Sequence, residues 1–191
     1  MGSSKKFVIF ETNPPSPIFN NEPAHGLWFV NILKHVNVDL QVGVYNVTNN
    51  KFPKIIKGAD GIIITGSSKE VYDNEPWIKN LKKIILQLSG QNIPMLGVCF
   101  GHQLLAEIYG GKVIKNPQGR EIGTCKISLV KDGINDKLFF GLPKNISVQE
   151  SHISSVVRLP KDATLLAENN FGNQAFKIVN KCIWGVQFHP E

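Results

Sequence analysis

One thiol and one histidine–carboxylate pair are the side chains best equipped for chemistry. Cys99 sits at the centre of Gly97-Val98-Cys99-Phe100-Gly101, between a short apolar run, Met95 to Val98, and a helical pattern with Leu104, Leu105 and Ile108 on one face. A strand that turns into a helix within a residue or two must bend sharply. Glycines two places either side of the bend let other backbone approach it, the mechanics of the nucleophile elbow with sulfur in place of oxygen. A cysteine there faces a helix N-terminus, whose free N–H groups favour thiolate. The same residue reads equally well as a small buried hydrophobe. At the other end of the chain stands His189-Pro190-Glu191. Residues two apart in extended backbone point to one side, so the carboxylate can orient the imidazole. Thiolate, imidazole and carboxylate together make a nucleophile–base–orienter set.

The elements that would position these groups follow from periodicity. Phe7–Phe10, Val38–Val47, Gly61–Thr65, Met95–Val98 and Gly111–Ile114 read as strands. Ala24–Val36 and Pro76–Leu88 read as helices, the second with proline in its first turn and Ser89-Gly90 at its close. Phe52–Lys57 reads as a short helical turn, and the proline-rich stretch Thr12–Pro23 as an irregular loop. Strands alternating with helices imply a parallel sheet. After Pro117 come short strand-like runs: Cys125–Val130, Ile146–Ser151, Thr164–Glu168, Ala175–Val179 and Cys182–Phe188, with turns between them such as Asp132-Gly133. The expected fold is α/β: an open, mostly parallel sheet with helices on both faces and an antiparallel edge portion in the C-terminal half. Residues 1–191 are expected to form a single domain.

In such sheets ligands bind beyond the carboxyl ends of the strands. Gly66, just past a buried strand, can aim a backbone N–H at a developing oxyanion, with the N–H of Phe100 as partner. His152 follows a strand end and is a candidate for lining a pocket. His102 points into the helix after Cys99 and suits packing. His25 and His35 lack an acidic partner at useful spacing, and Asp60 and Glu107 suit solvent or capping roles. Cys125 and Cys182 fall within strand patterns and are expected as inert core thiols. Cys99-x-x-His102 is too sparse to be a metal site, and no metal is expected.

Composition narrows the class. The chain has 191 residues, 42% hydrophobic and 19% charged, which suits one globular domain rather than a disordered or fibrous chain. Its formal charge of +6 comes from dispersed lysines, so neither a nucleic-acid partner nor a membrane partner is expected. The odd count of 3 cysteines, in no disulfide or metal spacing, and the lack of an apolar leader point to a cytoplasmic compartment.

Gly97-Val98-Cys99-Phe100-Gly101-His102-Gln103 together with His189-Pro190-Glu191 resembles the class I (triad-type) glutamine amidotransferase family. Ile64-Thr65-Gly66-Ser67-Ser68 resembles that family's oxyanion strand end, and Gly119-Arg120-Glu121-Ile122-Gly123 and Ser151-His152 also fall at its expected places. Within the family the chain is most similar to stand-alone proteins like the amidotransferase part of GMP synthase and to plant-type gamma-glutamyl peptidases. The resemblance implies attack of Cys99 on a gamma-glutamyl amide and a gamma-glutamyl thioester that water resolves to glutamate. It implies His189 as acid/base, Glu191 as its orienter, Gly66 and Phe100 as oxyanion donors, and Gln103, Ser151 and His152 lining the pocket for the glutamyl amine and carboxylate. No cofactor is implied. Two departures stand out: Ser154 occupies a place where members near the synthase often carry aspartate, and Glu191 is the last residue where relatives usually continue into a helix. Three functions remain open: a glutaminase supplying ammonia to a partner synthase chain, a self-contained gamma-glutamyl peptidase or hydrolase, and a non-catalytic binding or regulatory subunit.

Overall fold

The computed structural model describes residues 4–13, 25–36, 39–53, 56 and 58–191. The elements run β1 (Lys5–Glu11), α1 (His25–Val36), β2 (Leu40–Asn46), β3 (Gly61–Ile64), α2 (Pro76–Ser89), β4 (Met95–Val98), α3 (Phe100–Ile108) and β5 (Lys112–Lys115). They continue with β6 (Glu121–Leu129), α4 (Lys131–Asn135), β7 (Asn145–His152), β8 (Ser154–Arg158), β9 (Ala163–Asn169), β10 (Gly172–Ile178) and β11 (Ile183–Val186). The expected loop Thr12–Pro23 lies mostly outside the described residues, and Phe52–Lys57 partly so.

Among the described residues the main sheet has nine strands in the order β2-β1-β3-β4-β11-β10-β9-β6-β7. β2, β1, β3, β4 and β11 run parallel. From β11 onward every pairing is antiparallel. The expected α/β class and antiparallel edge are therefore present. The last strand, however, does not stay with the hairpins that precede it. It inserts beside β4 in parallel register, Gly185 opposite Gly97 and Val186 opposite Val98. That placement brings the ends of β3, β4 and β11 together.

Each central strand is apolar on both faces because each face meets a helical layer. Phe10, Ile62, Ile64 and Met95 pack with Trp77, Ile78, Leu81 and Ile85 of α2 and Leu104 and Leu105 of α3. Ile9, Ile63, Val98 and Val186 pack on the other side with Phe29 of α1. α2 begins with Pro76 in its first turn, and its five buried apolar residues form one face.

Three local expectations are corrected. β5 leaves the parallel sheet and pairs with β8 instead, a strand not expected from the sequence. Only its two central residues are shielded, so it lacks the continuous apolar run that a central parallel strand needs. The Asp132-Gly133 turn is instead part of α4, where Gly133 lies so close to the Leu166 carbonyl that a side chain would collide with it. Cys125 and Cys182 are half-buried rather than core residues.

Candidate active site

The bend after β4 is as tight as its glycines suggest. Cys99 has φ 49° and ψ −100°, outside the comfortable range of a residue with a side chain. Its N–H donates to the Val186 carbonyl at 2.9 Å, and its own carbonyl accepts from Gln103 N–H at 3.1 Å, so strand β11 and helix α3 both hold the strained residue. A Cβ on Gly97 would strike the Gly101 carbonyl, and one on Gly101 would strike that of Ile64. Both glycines are required by close approach. The thiol sits at the N-terminal end of α3, where the backbone N–H groups are free of intrahelical partners.

β11 carries the chain on to His189, whose N–H donates to the Gln149 carbonyl at 2.9 Å. This bridge ties the final segment to β7. Glu191 folds back so that Oε1 meets His189 Nδ1 at 2.8 Å. The Glu191 side chain is 1% exposed, so the final residue is buried against the site. The thiol lies beside the same ring: a Cβ on Gly66 would be within 4 Å of both His189 Cε1 and Cys99 Cβ. Burial works against a charged ring, but bonding to Cys99 and Glu191 outweighs it and lifts the His189 pKa to about 10.

Gly66 lies against both groups: a Cβ there would be 2.9 Å from His189 Cε1 and 3.6 Å from Cys99 Cβ. Thr12 Oγ1 lies 3.0 Å from the Thr65 carbonyl and 2.9 Å from that of Gly66. Because a trans peptide points its C=O and N–H in opposite directions, anchoring the Thr65 carbonyl aims the Gly66 N–H the other way. Thr12 and Thr65 together hold this strand end, a contact that sequence reading misses. Thr12 reads as part of a loop, and nothing in its spacing signals a contact across 53 residues.

These groups open onto a cavity of about 560 Å³ lined by Cys99, Phe100, Gln103, Ser151, His152, His189 and Glu191, with the loop Ser67–Glu70 and residues His25 and Trp28 also on its walls. All three members of the expected set, the Phe100 donor and the three expected lining residues thus meet in one place. Gln103 is less free than expected. Its Nε2 donates to the Ser154 carbonyl at 2.8 Å and the Gln187 Oε1 at 3.1 Å, which braces α3 against β8 and the end of β11. Ser151 is exposed and lies 3.4 Å from Arg120. The Ser154 hydroxyl meets that of Tyr72 at 2.9 Å.

His152 is buried, and both of its nitrogens are engaged. Nδ1 meets the Ser154 carbonyl at 3.0 Å, and Nε2 lies 3.0 Å from Glu121 and 3.3 Å from Glu150. Burial pulls its pKa down, but the adjacent carboxylates Glu150 and Glu121 outweigh that and hold it above the usual imidazole value. Glu121, Glu150 and His152 could present ligand atoms within 4.8 Å of one another. A proton serves the arrangement as well: Nδ1 donates to a carbonyl, and two carboxylates facing Nε2 favour the charged ring. Neither carboxylate stands out in the sequence as a site residue, although Glu121 lies in the Gly119–Gly123 stretch.

Other histidines behave as their surroundings dictate. His102 is fully buried against Phe176, and burial holds its pKa down to about 3, so it packs as a neutral ring. His35 is exposed on α1. His25 stacks on Trp28 with ring centroids 4.7 Å apart and joins the cavity wall, a role its sequence context does not show. Asp60 pairs with Lys5 and Glu107 with Lys82, both acids half-buried.

Cys99, His189, Glu191 and Gly66 thus come together beyond the carboxyl ends of neighbouring parallel strands. The family model Glutamine amidotransferase class-I matches residues 25–191, and the chain belongs to that family. Gamma-glutamyl peptidase 5 of Arabidopsis thaliana is 30% identical over 196 residues, spanning 100% of this chain and 77% of the peptidase. The glutamine-hydrolyzing GMP synthase subunit of Archaeoglobus fulgidus is 34% identical over 154 residues, spanning 80% of this chain and 78% of that subunit. A crystal structure of a glutamine amidotransferase from Thermotoga maritima matches with a TM-score of 0.83 over 97% of this chain and 76% of that one. Its 23% identity speaks for the fold alone.

Proposed function

We propose that the protein hydrolyses a gamma-glutamyl amide, glutamine in the first instance, through a thioester on Cys99. One observation carries the reading: His189 is bonded to Glu191 and shares the Gly66 strand end with Cys99, all three on one cavity. A protonated imidazole beside the sulfur favours the thiolate, the form that attacks. The thiolate adds to the gamma carbonyl, and the oxygen that takes the electron pair is held by the N–H groups of Gly66 and Phe100. Collapse breaks the C–N bond while His189 passes its proton to the leaving nitrogen. The imidazole then takes a proton from water, which attacks the thioester, and glutamate leaves as sulfur regains the pair. Glu191 keeps the ring in the orientation and tautomer that both halves need. Residues 1–191 serve this chemistry as one domain, with Gln103, Ser151 and His152 shaping the glutamyl pocket. The reading needs no cofactor, metal, nucleic acid or membrane, and a cytoplasmic setting suits a free thiol.

The reading divides over the leaving group. Glutamine as substrate yields ammonia, which an amidotransferase passes to a synthase chain; similarity to the glutamine-hydrolyzing GMP synthase subunit supports this arm. A gamma-glutamyl peptide as substrate yields an amino acid or peptide and needs no partner. The match to a gamma-glutamyl peptidase across 100% of this chain supports that arm. Glutamate release from glutamine and from gamma-glutamyl dipeptides, by wild type and Cys99→Ala, decides between them. Release from glutamine that rises only when a synthase chain is added supports the first, and comparable or faster release from peptides alone supports the second. Absence of Cys99-dependent release from either would leave the family fold with a binding role.

A further inference from the structure

One buried charge has no part in the chemistry above. Glu150 lies on β7 in the wall of the cavity, next to Ser151, with its side chain 0% exposed. Its one partner among the described residues is the His152 imidazole. Its nearest cation, His152 Nε2 at 3.3 Å, is already bonded to Glu121 at 3.0 Å. Glu121 is solvated by protein, accepting from Asn169 at 2.6 Å and from Gln174 at 3.0 Å. The cluster therefore holds two carboxylates for one imidazolium, and Glu150 is the one with no donor besides the shared ring. Buried carboxylates are normally bonded or paired, because an uncompensated charge in the interior is costly. Burial accordingly pushes the Glu150 carboxyl up, only partly offset by His152.

A positive group in the cavity would relieve that cost. Of the other acids on the cavity wall, Glu191 is bonded to His189, and Glu70 belongs to the loop after β3. On the exposed side of Ser151 stands Arg120, which among the described residues pairs with no carboxylate. Ser151 thus lies between a buried negative charge and an exposed positive one. Resting on the gamma-glutamyl reading, we infer that Glu150 is the counter-charge for the α-ammonium of the substrate, acting across the Ser151 wall, with Arg120 facing the α-carboxylate. Glu150 is then a specificity residue: it does not enter the bond-making steps, but it makes the site select free gamma-glutamyl compounds over those lacking the amine.

The test crosses the two charges. Initial rates are measured on glutamine and on glutaramic acid, which keeps the carboxylate and the amide but lacks the α-ammonium, for wild type and Glu150→Gln. Loss of one charge interaction across a protein wall corresponds to about 10- to 100-fold in kcat/KM. That loss is expected for Glu150→Gln on glutamine, mainly in KM, with the glutaramic acid rate held within about threefold, which also reports an intact fold. An equal loss on both substrates, or no loss on glutamine, would overturn the inference. If wild type hydrolyses neither, the functional reading fails separately. Calorimetry then compares glutamate with glutarate on Cys99→Ala and on Cys99→Ala/Glu150→Gln: a preference for glutamate that Glu150→Gln abolishes supports the inference, and no preference overturns it.

Discussion

The molecule holds two imidazoles against carboxylates, and the difference between them separates chemistry from structure. His189 meets Glu191 at 2.8 Å through Nδ1, and its remaining nitrogen faces a thiol at the floor of a cavity. His152 has both nitrogens committed, one to a carbonyl and one to acids, and its side chain is 2% exposed. Both rings are held above the ordinary imidazole pKa. Only His189 has a nitrogen left with which to move a proton. A histidine–carboxylate pair is therefore no sign of catalysis by itself; the uncommitted nitrogen and what it faces are.

The comparison breaks first on activity. Cys99→Ala or His189→Gln should lower glutamate release by about 10³-fold or more, since members of such a set act as a unit. Glu191→Gln removes only the orienter and should cost about 10²-fold, read as kcat at constant protein concentration. His152→Gln should instead register in stability: it leaves two buried carboxylates unpaired, a loss of about 3 kcal/mol or more in urea unfolding. A stable His152→Gln protein would show that the cluster is less dependent on its imidazolium than its geometry implies.

A further effect concerns pH. A histidine whose folded pKa is about 10 instead of 6.5 binds its proton more tightly in the folded state. The resulting stabilisation is fully present below about pH 6.5 and is lost as pH rises through about 10. Unfolding midpoints should therefore fall across that window in wild type and fall less in Glu191→Gln. Parallel curves would place the charge elsewhere.

Much of this arrangement is legible in the chain. Gly97 and Gly101 announce a close approach, and the apolar runs at Ile62–Ile64 and Met95–Val98 announce strands covered on both faces. His189 and Glu191 are readable because their spacing is local. What is not legible depends on contacts between distant parts of the chain. The insertion of β11 beside β4 is set by pairing between residues almost ninety positions apart, and its apolar run fits an edge hairpin as well as a central strand. Thr12 acts through a carbonyl 53 residues away. Glu150 has the sequence context of a surface acid because its neighbours are polar; the turn of β7 that buries it cannot be seen from Gln149 and Ser151. The short strand β8 and helix α4 carry too few residues for a periodic signal.

The central claim is that Cys99, His189 and Glu191 act together, and the reactivity of the thiol tests it most directly. Alkylation by iodoacetamide at neutral pH, mapped by mass spectrometry, compares Cys99 with the half-buried Cys125, whose thiol is pushed up by burial and by the neighbouring Glu121. The account predicts that Cys99 reacts fastest, by about tenfold or more over Cys125 and Cys182, and that His189→Gln removes most of that advantage. Equal rates at all three thiols in the folded protein, or a Cys99 rate indifferent to His189→Gln, would contradict it.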